Sequence, residues 1–600
     1  MDEAIPARLA ERLTAPAAEL DQLSFCESSA AALEDWISRL PMANTSTTSE
    51  QIRQATFEIA RLKIPYALRM ALLEVIRPPL HYLCARLDRA AMSTQNHGDA
   101  IARLAQRLQT NLCSGYKAVI LEAIGSGSRT DKETVATAIH RVLSDLSRTL
   151  LRTLQFYVAP ADRLWLELNQ LYHLAEHFGL TLTEIHDSEN HTRPQISIRD
   201  AYLRPVLLAL AKPNQLRHRQ LTDVFNALEL WVPSVTIEAS EGGELFCVDL
   251  AAEQGPSYTK LLEAAEAPRC VRTELLVYEL EAYRKDMDGS LPVPERLEAG
   301  LIAHLANAWS VMRKRTHRRA ASTSSMKVCI GMRSAHYFLS GGVDFFDQLD
   351  EEDPSVRREV NPFQGADEVA FVPNVSEIKD VWDDAFDLRV RIPQNPNIGN
   401  PEALLRKMAA RQGEDTRKDN RGGYHYYDTT TMDTSPGGYR VRWNEPLPAS
   451  VQTGELVAMR DESDPRWCVA VIRWIRQDAN GASMGLELLS PRAIPVAVRV
   501  IHKRGGPSDY ARAFVLPELA LIDQPASLLA PPVPFQSNQK VHVSRQGIQT
   551  TAQLGECLLK TESFNQFTFR MLDGYLENTE IDLTMNSLRM PPDDQPSGLN

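Results

Sequence analysis

The chain has no pair of cysteines at metal-ligand or redox spacing. Its eight cysteines, Cys26, Cys84, Cys113, Cys247, Cys270, Cys329, Cys468 and Cys557, are scattered singly over 600 residues. That excludes a disulfide framework and a zinc cluster, and leaves most of them as small hydrophobes in apolar runs. No apolar run approaches the ~18 residues of a membrane-spanning helix. The start, Met1-Asp2-Glu3-Ala4, is acidic and without a leader's apolar core, so the expectation is a cytoplasmic protein with no membrane span. Positive charge is in deficit. The 65 Lys and Arg against 78 Asp and Glu give a net charge of −13, which argues against a general nucleic-acid surface. Nor does the chain offer a phosphate-cradling glycine loop or a Ser/His/Asp grouping. His304, His317, His336 and His425 stand isolated. The expectation is therefore a protein that is not an enzyme and holds no metal or other cofactor.

What is present is length and apolar material, 43% hydrophobic residues over 600, enough for several domains. Residues 1–190 read as an all-α bundle or solenoid. Leu33, Trp36, Ile37 and Leu40 share a helical face, as do Leu104, Leu108, Leu112, Tyr116, Val119 and Ile120. Ala67 to Leu87 is a long apolar helix in which Pro78-Pro79 predicts a break or kink. Trp165, Tyr172 and His177 read as core or interface. Residues 191–305 change to a mixed α/β segment. Its predicted strands are Trp231–Ile237, Glu244–Leu250 and Val271–Val277, and a helix runs from Leu301 to Met312. Residues 341–423 are acidic, then proline-rich, and read as a partly disordered insertion. Residues 501–600 form a β-rich extension with a disordered tail.

The organising stretch is Asp433-Thr434-Ser435-Pro436-Gly437-Gly438. Asp and Ser bond nearby backbone, proline presets φ and the glycine pair permits positive φ, so this is a tight turn. It feeds a strand in which Tyr439, Val441 and Trp443 alternate with Arg440 and Arg442. Further strands follow at Gly454–Met459, Arg466–Ile475 and Gly481–Leu489. The succession D-x-S-x-x-G, G-E-L-V, V-x-R-W, G-x-x-L-L over residues 433–489 resembles the PilZ domain, a small antiparallel β-barrel that binds the bacterial second messenger cyclic di-GMP. The fold class expected is thus multidomain α+β. A helical N-terminal domain precedes the mixed α/β middle. A PilZ-like barrel at 306–340 plus 424–500 then carries the inserted 341–423 and is followed by the β-rich extension.

The family's second motif is R-x-x-x-R ahead of the first barrel strand. Of the pairs with that spacing, two are candidates. Arg315 and Arg319 precede the apolar strand Met326–Met332 and are preferred. Arg417 and Arg421 are the alternative, but eleven residues separate Arg421 from Asp433, short for a strand and its return. The resemblance implies that the arginines clamp phosphate and guanine, for which a planar fork suits better than lysine. It implies that Asp433 accepts from the guanine N1/N2 edge, that Ser435 bonds phosphate or base, and that Gly438 lets backbone approach the ligand. Glu402-Ala403-Leu404 mimics the signature of enzymes that destroy the messenger, but the barrel and metal ligands of such an enzyme do not accompany it. The function expected is a cyclic di-GMP receptor that passes its signal to a protein partner through the helical region. The alternative is a degenerate PilZ-like scaffold that binds proteins and no nucleotide.

Overall fold

The computed structural model describes residues 12–572 apart from 94–97, 126–130, 157–162, 191, 241–243, 262–264, 286–290, 295–296, 311–319, 350–423, 436, 446, 449, 463, 465, 479–480, 503–506, 519–524 and 546–547. The chain divides near residue 317 into two compact units.

The first unit opens with helices α1 (Ala30–Ser38), α2 (Thr45–Arg61), α3 (Tyr66–Ser93), α4 (Gly98–Gly125), α5 (Lys132–Phe156) and α6 (Leu164–Phe178). Ser29 and Asn44 cap α1 and α2 by accepting from the amides of Ala32 and Thr47, satisfying donors that a helix start leaves open. A short hairpin of β1 (Glu184–His186) and β2 (Gln195–Ser197) leads into α7 (Ile198–Leu210) and α8 (His218–Trp231). Then β3 (Thr236–Ala239), β4 (Phe246–Asp249), β5 (Ser257–Tyr258) and β6 (Pro268–Arg272) form a sheet in the order β3-β6-β4-β5. Helices α9 (Glu274–Arg284) and α10 (Ala299–Ser310) complete the unit. One apolar core, from Leu13 to Trp309, runs through all of it. Tyr172 is in that core and stacks on Tyr202 with centroids 4.3 Å apart.

Two predicted strands divide, and of the break or kink expected at Pro78-Pro79 the break does not occur. The helix over Pro78-Pro79 is not broken, because α3 runs through both prolines. Leu72, Leu73, Ile76, Leu80, Leu83 and Leu87 are almost wholly buried on either side of them. Burial of that stripe outweighs a local cost of roughly 3 kcal/mol for an interior proline. Val271–Val277 is not one strand. The strand ends at Arg272, and Glu274 starts α9, whose Leu276 and Leu280 are buried one turn apart. Short apolar runs do not separate helix from strand by periodicity. Trp231–Ile237 divides likewise, with Trp231 closing α8 and the strand beginning at Thr236.

The second unit contains two β-barrels. The first uses β7 (Ala320–Ala321), β8 (Ser325–Ile330), β9 (Tyr427–Ser435), β10 (Gly438–Trp443), β11 (Leu456–Asp461), β12 (Cys468–Asp478) and β13 (Gly481–Ser490). The sheet order is β10-β13-β12-β11-β8-β9-β7, and β9 also pairs β10. Six strands therefore close on themselves and β7 adds to the end of β9. The strand predicted at Met326–Met332 stops at Ile330, where Gly331 takes φ +82° and opens α11 (Gly331–Leu339). The second barrel closes as β14 (Ile494–Val500), β15 (Ala511–Leu516), β16 (Ser527–Ala530), β19 (Asn565–Met571), β18 (Ile548–Lys560) and β17 (Lys540–Arg545).

The barrels share an apolar seam beneath α11. Leu456, Ala458, Val469 and Val471 of the first meet Phe514, Leu516, Leu529 and Phe564 of the second. Val457, Met459, Ala470 and Ile472 alternate with the seam residues and are equally buried. Covered on both faces, β11 and β12 carry continuous apolar runs instead of alternation. Tyr424 is packed against the chain around α11 on this side. The Tyr424 hydroxyl donates to Asp344 at 2.8 Å, and its ring stacks on Tyr337 at 4.0 Å.

Candidate functional site

The turn at Asp433–Gly438 joins β9 to β10 at the rim of the first barrel. Ser435 lies opposite Gly438, Thr434 opposite Tyr439 and Asp433 opposite Arg440, after which a bulge shifts the register so that Thr431 faces Val441. The Ser435 hydroxyl donates to the Gly438 carbonyl at 3.3 Å across the turn. Gly438 has φ +151°, and a Cβ there would stand 2.0 Å from the Leu486 carbonyl oxygen of β13. The glycine is thus required by strand packing, whatever lies above it.

Asp433 and Arg440 form a long ion pair at 3.9 Å, with the carboxylate side chain 19% exposed and the guanidinium 33% exposed. Arg440 also stands 6.0 Å from the ring of Trp474. Opposite Arg440 on β13 is Gly485, where a Cβ would meet Trp474 Nε1 at 2.0 Å. Gly485 therefore leaves room for the indole to lie over the strand. Beside it, Arg473 forks Glu487 at 2.6 and 2.9 Å. Two carboxylates, two guanidinium groups and an aromatic ring thus stand at neighbouring positions of β9, β10, β12 and β13. Such a set can receive a polar ring edge, a phosphate and a stacked base.

The structure brings Asp433, Ser435 and Gly438 into one hairpin. Arg315, Arg319, Arg417 and Arg421 lie outside the described residues, as does Pro436. What is described is the chain that follows the first pair. Ala320 pairs with Thr434 and Ala321 with Asp433. The Ser322 amide donates to the Met432 carbonyl at 3.2 Å, and the Thr431 amide to the Ser324 carbonyl at 2.9 Å. The interval between Arg421 and Asp433 is occupied by β9 from Tyr427 onward, with no return. Sequence reasoning missed β7 and the pairing of Arg440 with Asp433. A two-residue strand leaves no period to detect, and Arg440 was visible only as a polar alternate in β10.

Among the described residues, no group of three or more His, Cys, Asp or Glu is placed to hold a metal ion. No described helix is long and apolar enough to cross a membrane.

Comparison with known proteins adds three consecutive matches. Residues 31–241 match the N-terminal domain model of the cyclic-di-GMP receptor FimW. Residues 245–495 match its middle PilZ domain, and residues 496–572 its C-terminal β-barrel domain. The cyclic-di-GMP receptor FimW of Pseudomonas aeruginosa is 30% identical, with 96% of each chain covered. No solved structure matches the chain.

Proposed function

Since the chain belongs to the FimW family of PilZ-domain proteins, we propose that it is a cyclic di-GMP receptor whose ligand binds over the Asp433–Gly438 hairpin. The observation that carries this reading is the pairing of Ala320 and Ala321 with Thr434 and Asp433. Arg319 is the residue bonded to Ala320, and consecutive Cα atoms are about 3.8 Å apart. Chain connectivity thus supports Arg319, with Arg315 four residues before it, as the partner of the hairpin. Arg421 precedes the opposite end of β9, and the seven residues from Tyr427 to Asp433 span roughly 20 Å of strand. The topology favours Arg315 and Arg319 over Arg417 and Arg421.

In this proposal Arg315 and Arg319 grip the phosphates and the O6/N7 edge of guanine. Asp433 accepts from guanine N1 and N2, where an acceptor carboxylate is the right partner. The Ser435 hydroxyl bonds phosphate or base. Trp474 offers a stacking face, and Arg440 adds positive charge 3.9 Å from the carboxylate. Gly438 shapes the hairpin. The role is binding, with no catalytic step. Ordering of the arginine segment on binding biases the receptor toward one state, and the helical unit passes that state to a protein partner. The domain boundaries that go with this reading are a helical domain at 1–190, the mixed segment at 191–305, and a PilZ barrel at 306–340 plus 424–500 that carries 341–423 as its insertion. The extension from 501 onward completes them. The barrel strands themselves are β7 to β13, since α10 reaches Ser310 and β14 at Ile494–Val500 pairs in the second barrel.

Calorimetry of cyclic di-GMP with the full chain tests the proposal. Wild type is expected to bind with low-micromolar affinity, and Arg315→Ala/Arg319→Ala and Asp433→Ala to lose binding by about 100-fold. Arg417→Ala/Arg421→Ala should bind as wild type. Loss in that last variant would reverse the choice of arginine pair. No binding by folded wild type would refute the receptor and leave the protein-binding scaffold.

A further inference from the structure

Two helical stripes of the first unit face each other across a groove. On α2, Arg53, Phe57 and Arg61 recur at intervals of four residues, and on α4, Arg103, Arg107 and Asn111 do the same. Residues four apart lie on one helix face. Arg53, Phe57, Arg103, Arg107 and Asn111 line a groove of about 560 Å³. It continues at Phe57 and Asn111 into a hollow of about 210 Å³ bordered by Arg61. The Arg61 guanidinium lies flat on the Phe57 ring at 3.6 Å and donates to the Phe57 carbonyl at 3.3 Å. Asn111 donates to the Arg53 carbonyl at 3.5 Å, which fixes one stripe against the other. Arg53 is forked by Glu50 on its own helix at 2.9 and 2.5 Å. No Asp or Glu is among the described residues that line the groove or the hollow.

Four guanidinium groups around one concave surface are out of keeping with a chain of net charge −13. A field of that overall sign repels a polyanion such as a nucleic acid. A short acidic segment that stays within the groove meets the local guanidinium charge more than that overall field. The stripe from Arg53 to Arg61 is eight residues of helix, roughly 12 Å, which about four extended residues span. Phe57 gives the floor an aromatic face, and Asn111 gives it an amide. These are the partners that an extended acidic segment needs for its carboxylates, its backbone and an intervening apolar side chain.

We propose that this groove docks an acidic segment of a partner protein, its carboxylates taken by Arg61, Arg103 and Arg107 and an apolar side chain set against Phe57. The inference rests on the reading that the helical unit carries the partner contact, and it names the surface and the chemistry.

The test uses the full chain and a fluorescein-labelled peptide of alternating Glu and Leu, about ten residues long. Fluorescence anisotropy reads binding, beside a Lys/Leu peptide and a single-stranded oligonucleotide of similar length. The acidic peptide should bind and the Lys/Leu peptide should not, and binding should weaken as salt shortens the screening length. Arg103→Glu/Arg107→Glu should weaken it by at least about tenfold, and Arg103→Lys/Arg107→Lys by a few-fold, since lysine keeps charge and loses the fork. Both variants should melt as wild type and bind cyclic di-GMP as wild type. Equal peptide binding by wild type and the Glu variant would overturn the proposal, as would tighter binding of the oligonucleotide. Cyclic di-GMP binding without peptide binding would refute the groove alone. Peptide binding at the groove without cyclic di-GMP binding would refute the receptor alone.

Discussion

Gly438 sits at φ +151° with the Leu486 carbonyl where its Cβ would be. A side chain at this position would strain the backbone and force β10 away from β13. Gly438→Ala should therefore destabilise the barrel by about 1–3 kcal/mol or more, seen as a lowered melting midpoint with or without ligand. Asp433 behaves differently. Its neighbour Arg440 is too distant at 3.9 Å for a hydrogen bond, and a partly exposed pair of this kind contributes little to stability. Asp433→Asn should leave the melting midpoint within about 1 °C of wild type. On the proposed function it should weaken cyclic di-GMP binding at least tenfold by calorimetry, because an amide mismatches the guanine donors. The two residues adjoin in one motif, yet one carries fold and the other carries recognition. Short motifs in a sequence do not separate those roles. The register and the built Cβ do.

At the scale of the element, the sequence was most legible where one physical signal dominated. The turn chemistry of Asp433 to Gly438 predicts the β9–β10 hairpin, and the apolar stripe of α4 predicts a buried face, which Leu108, Leu112, Tyr116 and Val119 fill. It was least legible where tertiary packing overrode the local signal, as at Pro78-Pro79, and where an apolar run was shared by a strand and a helix, as at Arg272 and Glu274. Buried charge was also invisible, because a helical face shows period and not partners. Arg77 of α3 forks Asp187, which follows β1, at 2.7 and 3.0 Å. Asp145 of α5 stands 3.8 Å from the same arginine, and all three side chains are almost fully buried. Burial works to raise the Asp187 carboxyl, but Arg77 outweighs it and holds the group well below the usual carboxylate range. Arg77→Met would remove the cation that forks Asp187, leaving that carboxylate to Arg141 at 3.7 Å and Asp145 to His81 at 2.8 Å. It should cost about 3–5 kcal/mol, measured by urea unfolding.

At the scale of the whole molecule, both units bury a histidine that stays neutral. His140 in the first unit is wholly buried, and burial with Arg141 and Arg77 nearby lowers its pKa from 6.5 to about 3. His336 in the second is 1% exposed and is lowered by burial to about 4, while its Nε2 meets the Val496 carbonyl at 3.2 Å. Unfolded, each takes up a proton below pH 6.5, and folded it does not until much lower pH. The unfolded state therefore gains stability as pH falls through that window. Each histidine should remove roughly 2 kcal/mol by pH 5. Thermal melts between pH 7.5 and 5 check the sign, and His336→Asn should flatten the fall in the second unit.

The same scale holds the central claim, that a segment before β7 and the hairpin after β9 act as one ligand site although 350–423 lies between them in sequence. Hydrogen exchange of the full chain with and without cyclic di-GMP tests it most directly. Ligand-dependent protection is expected in peptides covering 311–324 and 428–441 together. Protection confined to 412–423, or none at saturating ligand, would contradict it.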